Sequence, residues 1–98
     1  MIVRVHGEGV GLEDLDMLTE FKVVAPETLR GCIGQALAPA GRFDGEHAWI
    51  SEVWLRKTTA GQPETWGVGF EKMLAFARVK GWFDPSTGAV RAHVDWQP

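Results

Sequence analysis

Cysteine is nearly absent: Cys32 is the only one in 98 residues, so no internal disulfide can hold the fold together. No stretch approaches the roughly 20 apolar residues that cross a bilayer, and the opening MIVRVHGEG lacks the apolar segment of a secretory signal. Lysine and arginine never cluster, and the formal net charge is −3. Without a basic run, the phosphate neutralisation that dominates nucleic-acid affinity has no source. These absences point to a soluble cytoplasmic protein that binds neither membrane nor nucleic acid and carries no cofactor.

What is present is an ordinary globular composition, 45% hydrophobic and 23% charged, read as one domain over residues 1–98. A chain of this length buries roughly 60 to 70% of its unfolded surface, enough for one core. Two stretches share a pattern, APETLRGCIGQALAPAGRFDG from Ala25 and QPETWGVGFEKMLAFARVKGWFDP from Gln62. Each opens on Pro-Glu-Thr and ends on Gly-x-Phe-Asp. Proline followed by an acid marks a helix start, because proline lacks only an N–H that would go unpaired and the acid meets the positive end of the dipole. Leu29, Ile33 and Leu37, with Cys32 and Ala36, give the first helix an apolar stripe. Trp66, Phe70, Met73, Leu74 and Ala77 do so for the second.

Strands are predicted at 2–6, 20–24, 47–57 and 89–96, with a short helix carrying Leu12, Leu15 and Leu18 after the first. The order is β(short α)βαβαβ. The expectation is an α+β two-layer sandwich: a four-stranded sheet with two amphipathic helices on one face, resembling ferredoxin-like folds in architecture alone.

Side-chain alternation divides each strand between two faces. Val3 and Val5, Phe21 and Val23, and Val90, Ala92, Val94 and Trp96 form the face beneath the helices. In 47–57 the same rule assigns Trp49, Ser51, Val53 and Leu55 to the core side and leaves Trp54 outside, between Glu52 and Arg56. Trp49, Trp66 and Trp96 are therefore expected in the core, with Trp82 as a lid at its edge. Parallel and mixed sheets are normally covered on both sides, so the other face calls for a second copy of the chain or a protein partner.

That face is expected to hold Arg4, His6, Glu52, Trp54, Arg56, Arg91, His93 and Asp95. Arg4, Glu52, Trp54, Arg56 and Arg91 are the binding candidates, because tryptophan and arginine dominate binding hot spots. His6, His93 and Asp95 are the acid–base candidates if the protein is an enzyme. His93 with Asp95 and His6 with Glu8 have strand spacing that suits a metal, but neither pair completes a site, and no metal is assigned. Cys32 reads as a buried, inert thiol. The glycine-rich GEGVG at 7–11 lacks the spacing of a phosphate loop and reads as a flexible connection. Residues 8–20 carry Glu8, Glu13, Asp14, Asp16 and Glu20 with no cation, which reads as a solvated helix side or a surface for a basic partner.

Two functions follow. The first is a non-enzymatic interaction module that binds itself or a protein partner through an open sheet face, anchored by Trp54 and Arg56. The alternative is an isomerase- or lyase-like enzyme acting on an apolar or aromatic acid between the facing sheets of a dimer. A stacking surface for single-stranded nucleic acid, with one exposed ring and the wrong charge, is the weakest reading.

Overall fold

The alternating run at the start of the chain forms a strand over the residues its pattern marks. In a computed structural model, which describes residues 1–98, β1 (Ile2–His6) buries Val3 and Val5 and leaves His6 exposed. After a turn at Gly7 and Glu8, β2 (Gly9–Glu13) returns antiparallel to β1, with Val5 opposite Val10 and Val3 opposite Leu12. The expected helix over Leu12, Leu15 and Leu18 is therefore absent. Val10 and Leu12 also fit a period of two, and pairing with β1 decides between the two periods.

β3 (Lys22–Pro26) runs parallel to β1, and a 3₁₀ segment (Glu27–Cys32) leads into α1 (Ile33–Leu37). Pro26 ends β3 at the N-cap position, without a side-chain capping bond, and Glu27 opens the segment, one residue later than the Pro-Glu-Thr signal implies. Ile33 and Leu37 are buried, but Cys32 is exposed, which corrects its assignment to the core. A 3₁₀ turn closes in three residues rather than 3.6, so a stripe counted on α-helical spacing does not run through it.

β4 (Gly41–Phe43) and β5 (Ala48–Ser51) form a hairpin, and α2 (Glu52–Thr58) starts where β5 stops. The expected strand 47–57 is thus half strand and half helix. Ser51 makes the switch: its hydroxyl accepts the backbone N–H of Trp54 at 3.1 Å, which satisfies one of the free donors of the first helical turn. α3 (Glu64–Val79) follows, burying Phe70, Leu74 and Ala77. Gly81, at φ +77°, lets the chain leave the helix. β6 (Phe83–Asp84) and β7 (Ala89–Gln97) complete the sheet, with Val90, Ala92 and Val94 turned inward.

The strand order is β2-β1-β3-β7-β5-β4, with β6 also paired to β7. β1, β3 and β7 are parallel, and the remaining pairings are antiparallel. The four-stranded, two-helix sandwich of ferredoxin-like order is overturned: the sheet has seven strands, is mixed, curls into a half-barrel and carries three α-helices. The α+β class stands. The extra strands are the short β2, β4 and β6, whose two to five residues sit next to turns.

The shared sequence pattern has a structural counterpart. In both stretches a helical segment opening on Pro-Glu is followed by a short strand at Gly-x-Phe-Asp, a turn and a returning strand. The two hairpins, β4–β5 and β6–β7, lie back to back through the antiparallel pair β5–β7. One cluster of 16 buried residues joins the inner face of the sheet to Ile33 and Leu37 of α1, Leu55 of α2 and Phe70, Leu74 and Ala77 of α3. All three helices therefore pack on the same side of the sheet. No helix is long and apolar enough to cross a membrane.

Candidate functional site

The switch from strand to helix at Ser51 rearranges the expected face. Ala48 and Ile50 are the buried residues of β5, so Trp49 points to the side of the sheet without helices, the reverse of the expected assignment. Val53 and Leu55 belong to α2, where alternation does not hold, so a period of two carried through them inverts the phase of β5. Trp54 lies in α2 and packs, half-buried, against the core. Glu52 and Arg56 are also on α2. Glu52 accepts from Arg56 at 2.8 Å and from Arg78 at 3.0 Å, and Arg56 reaches Glu71 at 2.7 Å. These bonds, first to Glu52 and then to Glu71, raise the already high pKa of Arg56. Glu52 and Arg56 tie α2 to α3, and neither they nor Trp54 stand on the open face.

Arg4, His6, Arg91, His93 and Asp95 do lie on the helix-free face, by the parity of β1 and β7. Arg4 pairs with Glu13 at 2.8 Å and Asp95 with Lys22 at 3.8 Å. The register aligns Ile2, Lys22 and His93 in one row, which puts His6 four residues further along. His6 and His93 are then about 13 Å apart along the strands and about 10 Å across them. One protomer does not bring them to a common substrate. No three metal-ligating side chains gather anywhere.

The face has a different centre. Trp49 donates its Nε1–H to Asp44 at 2.8 Å, and the Arg42 guanidinium lies 5.2 Å from the indole ring. Arg42 continues across the sheet to Asp84 at 3.3 Å. The span is diagonal: Arg42 stands opposite Trp49 in the row of Arg91, and Asp84 opposite Ala89 in the row of Ser51. Asp44 also accepts the backbone N–H groups of His47 and Glu46, which with Trp49 hold its carboxyl well below the usual range. Asp84 is lowered in the same manner by Ser86 and Thr87. Trp49 is thus a tryptophan fixed in orientation on a sheet face that no helix covers.

A second feature is a cleft of about 430 Å³, in the range of small-molecule sites. It sits where β7 changes neighbours: β6 ends at the bond from Arg91 N–H to the Trp82 carbonyl, and β3 begins opposite His93. Leu18, Phe21, Met73, Phe76, Ala77, Trp82 and Val90 supply apolar walls, with Lys72, Arg91 and Glu20 among the polar lining. Leu18 seats against α3 at Gly69, where an added Cβ would meet it at 2.7 Å. The Met1 ammonium donates to the carbonyls of Met17 and Glu20, fixing that wall, and burial lowers its pKa.

Of the other tryptophans, Trp66 and Trp96 pack against the core as expected and Trp82 lies at its edge beside Phe76. Sequence reasoning missed Trp49, Asp44 and the cleft. The doubled Gly-x-Phe-Asp was the available signal for Asp44 and Asp84, since an aspartate closing a strand takes the following backbone N–H groups. The cleft had none, because its walls come from three separated segments. Compared with protein-family models, curated proteins and solved structures, the chain matches none.

Proposed function

We propose that the protein is a small non-enzymatic interaction module that pairs with a second copy of itself through the helix-free face of its sheet, with Trp49 as the anchor. The observation that carries this reading is the fixed indole: its orientation is set by Asp44 and Arg42 before any partner arrives, so little rotamer freedom is lost on docking. Charge favours a copy over a strongly charged partner. Arg4, Lys22, Arg42 and Arg91 share the face with Glu13, Asp44, Asp84 and Asp95, so two such faces meet without net repulsion.

Size sets the strength. Six strands at about 4.8 Å spacing and five residues at about 3.3 Å rise give roughly 500 Å² per copy. This is below the roughly 800 Å² per partner of a standard stable interface, and the curl of the sheet limits contact further. A weak dimer, forming at micromolar concentration or above, is expected. Sedimentation of the wild type from 1 µM to 1 mM should show concentration-dependent dimerisation, and Trp49→Ala should remain monomeric across the same range. A wild type that is monomeric throughout, or a Trp49→Ala variant that dimerises as well, would remove the reading.

The competing enzyme reading draws less support. It needs His6 and His93 to be united across two protomers, since the register separates them within one.

A further inference from the structure

The cleft between the 18–21 loop, α3 and the β6–β7 hairpin opens beside the sheet face and shares Arg91 with it, and its charges say which occupant it takes. Six arginines occur in the chain. Arg4, Arg30, Arg42, Arg56 and Arg78 each hold a carboxylate within 3.3 Å. Arg91 alone has no carboxylate partner, and its guanidinium lies 5.7 Å from the Trp82 ring. Lys72, on α3, lines the same cleft and is also without an ion pair, so two of the chain's free cations line one apolar cavity.

We infer that this cleft binds a small aromatic or branched aliphatic monocarboxylate, its apolar body against Phe21, Met73 and Phe76 and its carboxylate at Arg91 and Lys72. Arginine's planar fork matches a carboxylate with two parallel hydrogen bonds, and the cation–π contact with Trp82 holds the guanidinium beside the cleft. Glu20 shapes the choice: a carboxylate lining the same cleft repels a dianion such as a phosphate monoester, while two cations against one anion leave room for a single negative charge. The cavity volume suits a ligand of this size rather than a peptide or a lipid bilayer.

The experiment compares naphthalene-2-carboxylate with its neutral amide on the full chain, following the methionine methyl resonances by NMR. Met73 lines the cleft and reports occupancy there. The carboxylate should shift the Met73 methyl saturably, with the amide binding at least tenfold more weakly. Arg91→Gln should cut the carboxylate-to-amide preference about tenfold. Lys72→Gln, at an exposed position of α3 that makes no ion pair, should cut the preference several-fold. Equal affinity for carboxylate and amide, an unmoved Met73 signal at millimolar probe, or a preference untouched by Lys72→Gln would each overturn the assignment.

Discussion

Asp44 and Asp84 show how single side chains organise this protein. Each closes a short strand and accepts from its turn, Asp44 from two backbone N–H groups and Asp84 from the Ser86 N–H and the Ser86 and Thr87 hydroxyls, and each holds a further group: the Trp49 indole for Asp44, the Arg42 guanidinium for Asp84. Both carboxyls titrate lower in the folded chain than in the unfolded one. Between the two pKa values the unfolded state binds more protons, so stability rises with pH there. Their contribution is complete above the unfolded value near 4 and is lost as pH falls below it. Thermal unfolding from pH 6 to pH 2 should show this acid limb, and Asp44→Asn should make it shallower. Apolar residues act through volume instead. Leu55 is fully buried, and Leu55→Ala should cost about 2–5 kcal/mol in urea titration. Gly41 acts through backbone: a Cβ there would lie 2.1 Å from the Trp49 carbonyl oxygen. Gly41→Ala should push β4 off β5, at a cost of about 3 kcal/mol or more, with Trp49 emission shifting as its Asp44 contact is lost.

Among the elements, the junction of β5 and α2 matters most. Ser51 ends a strand and caps a helix in one residue, so Ser51→Ala should destabilise the chain by about 1 kcal/mol, seen as a lower urea midpoint with an unchanged slope. The same junction explains what the sequence could and could not reveal. β1, β7, α3 and the inner residues Val3, Val5, Val23, Val90, Ala92 and Val94 follow their periodicity, because each period runs uninterrupted within one element. Across 47–57 two periods meet, and Ala48, Ile50 and Leu55 are all buried, a set that neither period alone accommodates. Counting alternation through the cap turned Trp49 inward and Trp54 outward, and the candidate site moved with them. The short strands β2, β4 and β6 were invisible for another reason: strands of two to five residues exist by virtue of their neighbours, which no local pattern records.

At the scale of the whole molecule, two hairpins of like sequence stand back to back, and β7 is the member that reaches further. Its first half pairs with β5 and β6, its second half with β3. Val94, opposite Val23, lies where that central strand meets β3. Val94→Pro removes a ladder hydrogen bond inside the sheet and should leave no folded population, judged by loss of the coincident circular dichroism and tryptophan transitions of the wild type. The consequence is temporal. The β1–β2–β3 wing and the β4–β5 hairpin have no pairing with each other. During synthesis no strand joins them until residues 89–97 emerge from the ribosome. A late-arriving strand that must find β3 and β5 at long sequence separation should make this a slow-folding chain for its length, with the interval before its arrival the time of greatest exposure to aggregation.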